Sequence, residues 1–338
     1  MTLATRDILA HMQGRLRAIG GLVLALAALA LGALALSGPA LAQPVELAAP
    51  YEYLGWGDPQ PPATVVGQTG IKDLTLAFIL SHGNCDPEWD GQRPLLGGSD
   101  QTAIEAIRSA GGEVDVSFGG WSGKKLGSAC KSVYALAGAY QKVIDAYSLK
   151  AIDIDIEHGE FTSRKSRARV LGALKQVQGE NPGLEISVTM GTGEEGPERT
   201  GATMIAEAAA IGFEPTVWTV MPFDFGAPRT DMGHASIRAL EGLEADLAAD
   251  FHLSSAAAYE HVGVSSMNGE TDESSETVGL LEFQTILAFA AEHHLGRASF
   301  WAVNRDRPCQ VKGAPEEECS GISQSPLAFT ELLAGYHG

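Results

Sequence analysis

The stretch Ala151-Ile152-Asp153-Ile154-Asp155-Ile156-Glu157-His158-Gly159 places three acids two residues apart with isoleucines between them. In a strand, successive side chains point to opposite faces, so Asp153, Asp155 and Glu157 share one face and Ile152, Ile154 and Ile156 the other. Neighbouring carboxylates on that face lie about 7 Å apart along the backbone. At an effective dielectric of ~20, two like charges at that spacing repel by roughly 2 kcal/mol. An inward-facing row therefore cannot keep all three groups ionised at neutral pH. One carboxyl holds a proton, which is what a general acid needs. The plainer reading, a solvated acidic face, is opposed by the mid-chain position, the strict alternation and the flanking aromatic and glycine-rich segments. The same oxygens would suit a hard cation, but an EF-hand loop needs a glycine at its sixth position and further alternating ligands. Ile156-Glu157-His158 supplies neither, so no metal or cofactor is expected.

Short apolar runs alternate with helical stretches on both sides of this strand. Before it come Tyr51 to Trp56, then Asp73 to Leu80, then a polar loop from Ser81 to Ser99. Ser99 is placed to cap a helix carrying Ile104 and Ile107. Val114 to Phe118 is the third strand and runs into Gly119-Gly120-Trp121; Leu136, Tyr140, Val143 and Ile144 then recur at helical spacing. After the acidic strand, Asn181-Pro182-Gly183 turns the chain into Leu184 to Met190. Further strands are read at Thr216 to Met221, His261 to Met267 and Ala298 to Val303, separated by helices that include one from about Val278 to His294. Eight strands alternating with helices, with no linker, predict an α/β fold: a (β/α)8 barrel in a single domain. A doubly wound open sheet would carry a glycine-rich dinucleotide turn after its first strand, and Gly55 and Gly57 are too sparse for that.

The chain has 338 residues, 45% of them hydrophobic and 19% charged, with a formal net charge of −19. Such an acidic surface argues against nucleic acid and anionic membranes as partners. Arg15 and Arg17 precede an apolar run from Ile19 to Leu36, and Ala40-Leu41-Ala42 offers a cleavage site. Residues 1–42 read as a secretory signal peptide, leaving 43–338 as the catalytic domain of a secreted, extracellular or periplasmic protein. An uncleaved anchor is the rival reading, because the run is near spanning length. Four cysteines, Cys85, Cys130, Cys309 and Cys319, follow the leader, so disulfides are expected, with three possible pairings. One places Cys309 with Cys319 across a short polar loop and leaves Cys85 for Cys130.

In a barrel the site lies at the carboxyl ends of the strands. Those ends bring forward Glu157, the Met221-Pro222-Phe223-Asp224 run, Met267 with Asn268, and Trp301. Acids around an aromatic platform suit a sugar ring, whose apolar face stacks while its hydroxyls seek acceptors. His82 and His158 flank the same mouth.

Several segments together match one known pattern, and the chain resembles glycoside hydrolase family 18, the chitinase family. Asp153, Asp155 and Glu157 occupy the last three acidic positions of its DxxDxDxE signature, and Ser117-Phe118-Gly119-Gly120 matches its SxGG. Met221-Pro222-Phe223-Asp224 stands where the family has M-x-Y-D. Phe300 to Asp306 looks like the W-x-x-N-R-D ending of a bacterial branch. The resemblance implies a retaining, substrate-assisted mechanism on β-1,4-linked N-acetylglucosamine polymers or oligomers. It assigns Glu157 as general acid, and Asp155 to orient the substrate acetamide while sharing a proton with Glu157 or Asp153. Asp153 would be set by Ser117 and by Tyr51 or Tyr53, and Trp301 would floor the reacting subsite. Met221, Phe223, Asp224, Gly120 and Met267 would complete the substrate contacts. Two departures stand out: Lys150 replaces the leading acid of the signature, and Phe223 replaces the tyrosine that would bond the acetamide carbonyl. The alternatives are an endo-β-N-acetylglucosaminidase on N-glycan or peptidoglycan-derived sugars, and a chitin-binding protein with little turnover. A monomer acting on chitin or its oligosaccharides is expected.

Overall fold

The computed structural model describes residues 47–226, 231–273, 275–311 and 316–337. The expected leader, residues 1–42, lies outside them. The described residues belong to the compact unit Pro44–Gly338.

The barrel strands are β1 (Leu47–Ala48) and β2 (Tyr51–Tyr53), β3 (Asp73–Ser81), β5 (Glu113–Gly119), β6 (Ala151–Asp155), β7 (Glu185–Gly191), β8 (Val217–Met221), β9 (Val262–Met267) and β12 (Arg297–Trp301). Neighbours run in the order β1-β12-β9-β8-β7-β6-β5-β3-β2, all parallel. β1 and β2 are two halves of one strand, interrupted at Ala49 and Pro50. The first half pairs with β12 and the second with β3, so this strand is the seam that closes the ring. Ala49 sits in the seam, its N–H donating to Ala298 O at 3.2 Å and its carbonyl accepting from Ser299 Oγ at 2.7 Å. The eight-stranded (β/α)8 barrel read from the sequence is the fold found.

Helices Pro62–Thr69, Ser99–Ser109, Val133–Tyr147, Arg164–Glu180, Arg199–Ile211, Met232–Phe251 and Leu280–His293 wrap the ring. Their apolar stripes meet the outward strand residues, among them Leu74, Val116, Ile152, Ile154, Val188 and Phe300, in one continuous core. Each such side chain contributes about 1.5–3 kcal/mol by leaving water. The inward strand residues are polar instead: Thr75, Asp115, Ser117, Asp153, Ser187, Thr189, Thr219 and Arg297 are all buried. Both faces of each strand are thus buried, yet the sequence still alternates, because one face packs on helices and the other forms a hydrogen-bonded interior.

Several details differ from the sequence reading. Ser99 is the first helical residue, the cap position falls on Gly98, and the serine hydroxyl bonds Asp100 instead. The expected polar loop after β3 contains a short hairpin element, β4 (Pro87–Trp89), which folds back on β3, and beyond β9 the short β10 (Gly269–Glu270) pairs with β11 (Thr277–Val278). The last barrel strand stops at Trp301, and a 3-10 turn takes Val303–Arg305. The acidic strand itself ends at Asp155, so Glu157 stands just beyond it, at the cap of a short helix, His158–Thr162.

Candidate active site

Asp153 lies at the centre of the barrel with no exposed surface. Four donors reach its two oxygens. Oδ2 accepts from Ser117 Oγ at 2.6 Å and Tyr51 Oη at 2.8 Å. Oδ1 accepts from Thr189 Oγ1 at 2.6 Å and Arg297 Nη1 at 2.9 Å. Of the two tyrosines offered by the first strand, the structure selects Tyr51. Tyr53 is turned towards Asp90 and hydrogen-bonds there, and burial raises its phenol above the ordinary value.

Asp155 follows on the same face, buried, with Oδ1 lacking a hydrogen-bond partner among the described residues. Burial first, then the charges of Glu157 and Asp153, push its carboxyl well above the usual range. Glu157 is pushed up to about 7, chiefly by burial; Asp272 and Asp224 add to the rise and Lys125 opposes it. Both carboxyls are shifted in the direction that the spacing anticipates, and burial contributes more to the shifts than mutual repulsion.

The glycines of the third-strand motif let backbones approach. Gly119 and Gly120 both have positive φ, 113° and 77°, and the Gly120 N–H donates to Asp155 O at 2.9 Å. A Cβ on Gly119 would fall 2.1 Å from Asp155 O, and one on Gly120 would fall 2.6 Å from the Phe78 ring. Either side chain would drive the acidic strand or the aromatic floor away.

Trp301 closes the mouth on the β12 side. Its ring stacks on Phe78, with centroids 5.6 Å apart and planes at 11°, and it lies 6.0 Å from Tyr51 and 6.3 Å from Tyr53. Non-proline cis peptides join Ala77 to Phe78 and Trp301 to Ala302. Met267 is buried and pairs in register with Trp301. Met221 and Phe223 are half-buried, Phe223 against the main core. Asp224 has a φ of 55° and accepts from the Glu273 N–H at 3.2 Å. On the far flank, the exposed Trp121 ring meets His158 with centroids 3.8 Å apart. His82 is exposed, beside Glu88 at 3.0 Å on the β4 hairpin. Lys150 points into solvent and pairs with Glu113 at 3.2 Å, well away from the acids of the mouth. Its substitution for the leading acid leaves the row intact.

Five residues of this site were not singled out from the sequence: Arg297, Thr189, Phe78, Lys125 and Glu276. Arg297 shares its strand face with Ser299 and Trp301, a parity visible in Arg297-Ala298-Ser299-Phe300-Trp301. Thr189 likewise alternates with Ser187. Lys125 is buried in a glycine-rich loop, donating to Gly119 O at 3.2 Å and to Ser122 O. Burial lowers its proton affinity, while Glu157, Asp155 and Glu160 oppose that. Glu276 fastens the loop after β8, accepting from the N–H groups of Asp224 at 2.7 Å and Phe225 at 2.9 Å.

No family model matches the chain. Among proteins of known description, it is 27% identical over 312 residues to the probable bifunctional chitinase/lysozyme of Escherichia coli (strain K12), covering 87% of this chain and 35% of that protein. It is 26% identical over 258 residues to Endochitinase 11 of Metarhizium anisopliae, covering 71% of this chain and 49% of that one. The chain thus spans between about a third and a half of the length of these relatives. Among solved structures, the catalytic domain of the hyperthermophilic chitinase from Pyrococcus furiosus superposes with a TM-score of 0.77 at 27% identity, over 85% of this chain and 93% of that one. Catalytic-site mutants of that enzyme have been solved complexed with chito-oligosaccharides.

Proposed function

We propose that this chain, which belongs to the chitinase-like glycoside hydrolases of family 18, cleaves β-1,4 linkages between N-acetylglucosamine units with Glu157 as general acid. The observation that carries this reading is the row Asp153, Asp155 and Glu157, the two aspartates buried and Glu157 half-buried and raised to about 7, opening beside the Trp301 platform. Protonated Glu157 gives its proton to the glycosidic oxygen as the bond to the anomeric carbon breaks. The substrate's own acetamide oxygen attacks that carbon, retaining the electron balance in an oxazolinium ion. Asp155 holds the acetamide N–H and offsets the positive charge that develops. Glu157, now ionised, takes a proton from water as that water opens the ring, and the site is restored.

Glu157→Gln removes the transferable proton and keeps the shape. It is expected to lower kcat on a fluorogenic chitobioside roughly 10²–10⁴-fold while leaving binding of chito-oligosaccharides near wild type. Because the raised group must be protonated to act, wild-type kcat/KM is expected to fall as pH rises through about 7. Equal rates for the two proteins would sink the assignment, and chitin binding by the wild type without release of sugar would favour a binding protein. The likeness to an E. coli protein described as a chitinase/lysozyme supports a second substrate reading, peptidoglycan-derived sugars. Product analysis on chitin oligomers beside peptidoglycan fragments and a high-mannose glycopeptide separates these. The apolar leader and the two disulfides, Cys85–Cys130 and Cys309–Cys319, support export to an oxidising compartment. The acidic surface supports action as a soluble monomer on uncharged or cationic sugars.

A further inference from the structure

Arg297 is a buried, charged residue of the site to which the mechanism above gives no role. Its side chain and that of Asp153 are both completely buried, and Nη1 lies 2.9 Å from Asp153 Oδ1. Nη1 also reaches Ser187 Oγ at 3.1 Å, and Nη2 reaches Thr75 Oγ1 at 2.8 Å, so the guanidinium spans the barrel from β12 to β3 and β7. The Tyr51 ring lies 5.2 Å from its carbon. Room for it comes from Gly263 on β9, where a Cβ would fall 3.1 Å from Arg297 Cβ and 2.4 Å from Thr219 Oγ1.

The other titratable groups of the interior do not balance this cation. Asp115 on β5 is pushed up to about 8 by burial and so is neutral near pH 7. Tyr51 on β2 is raised by burial and stays a phenol. Asp155 on β6 is raised by burial and by its acidic neighbours. Asp153 alone remains as the counter-charge. With four donors on its oxygens, Asp153 has no need of a proton and no easy place for one. We infer that Arg297 keeps Asp153 ionised throughout and thereby confines the row's mobile proton to Asp155 and Glu157. This resolves which partner shares the proton of Asp155. Arg297 is then a positioning residue: it touches no substrate and acts through Asp153. Lys125, Asp224 and Asp272 face the upper pair from the loops after β5, β8 and β9 and set its overall proton affinity. Glu160, itself raised to about 7 by burial, faces Lys125.

The inference deepens the hydrolase reading, but its first test does not depend on turnover. In protein labelled with carboxyl-13C aspartate, the Asp153 resonance, identified by its loss in Asp153→Asn, is expected to stay that of an ionised carboxylate through the neutral range. Arg297→Met should make it titrate there, because a neighbouring opposite charge is worth roughly 1–3 pH units. Arg297→Lys should restore the wild-type behaviour. In kinetics, Arg297→Met should move the limbs of kcat/KM to higher pH by at least about one unit. A fall in kcat at every pH with unmoved limbs, or an Asp153 that stays ionised without Arg297, would overturn the inference. If Arg297→Met does not fold, the paired change with Asp153→Asn, which removes both buried charges, should melt above Asp153→Asn alone, which leaves the guanidinium buried without its counter-charge. A paired variant no more stable than Asp153→Asn alone would overturn it equally. Failure of Glu157→Gln to lower turnover would strike the hydrolase reading and leave the resonance test standing.

Discussion

Glu52 lies between Tyr51 and Tyr53 on β2 and turns the opposite way, fully buried, with neither carboxyl oxygen meeting a hydrogen-bond partner among the described residues. Burial lifts its carboxyl well above the ordinary value of 4.5. Asp115, raised to about 8, and Glu157, raised to about 7, are shifted in the same direction. Each raised acid binds its proton more tightly in the folded chain than in the unfolded one. The stability it contributes is complete below the ordinary carboxylate range and is lost as pH climbs towards the raised value. The melting temperature is therefore expected to decline between about pH 5 and pH 8. Glu52→Met, which keeps the length and removes the acid, should gain about 1–3 kcal/mol at pH 8 and clearly less at pH 4, read by thermal melts at both. At this scale the sequence was uneven. The acid row was legible in its spacing, but its raised carboxyls owe more to burial, which spacing does not report. Arg297 was visible only as a charge sharing a strand face with Trp301, and Lys125 had no periodic signal at all.

The chain just after β12 behaves as a splice. Asn304 exchanges hydrogen bonds with Tyr53, its Oδ1 accepting at 2.9 Å and its Nδ2 donating to Tyr53 O at 2.8 Å, and its Nδ2 also reaches Trp56 O at 3.3 Å. Arg305 donates to Asn268 O at 3.1 Å and to Glu270 O. Asp306 accepts from the N–H groups of Phe329 at 3.1 Å and Thr330 at 2.8 Å, from Thr330 Oγ1 at 2.7 Å and from Gln324 at 2.6 Å. Three consecutive side chains thus tie the first strand, the loop after β9 and the last helix, Ala328–Ala334, to the end of β12 at Trp301. Asp306→Ala would orphan several buried donors and is expected to cost about 2–4 kcal/mol, seen as a lower melting temperature with the pH limbs of activity unmoved. The motif was legible; its job as a three-way tie was not, since its partners are distant in sequence. Phe78 was hidden for another reason. The register of β3 against β5 shifts between Leu76 and Ile79, so counting by twos from Thr75 assigns Phe78 to the wrong face.

For the molecule as a whole, the (β/α)8 architecture could be read because short apolar runs alternate with helical stretches eight times over. The polar barrel interior could not, since a solvated face and a hydrogen-bonded one look alike in a single strand. The disulfides brace two loops of different size. Cys85–Cys130 spans a separation of 45 residues and Cys309–Cys319 one of 10. Loop-closure entropy makes these worth at most about 4 and about 3 kcal/mol. Replacing Cys85 and Cys130 by serine is expected to lower the melting temperature more than replacing Cys309 and Cys319, and calorimetry of the two variants checks the order.

The seam has a consequence for how the chain is made. Ser299 bonds Ala49 across 250 residues, so the opening strand leaves the ribosome long before the strand that secures it. At ~5–20 residues per second, that wait is on the order of 10–50 s. Throughout it, a nascent sheet carries two open edges and half-hidden acids. Closure of the ring therefore waits for the final strand, whatever the order in which the earlier ones form.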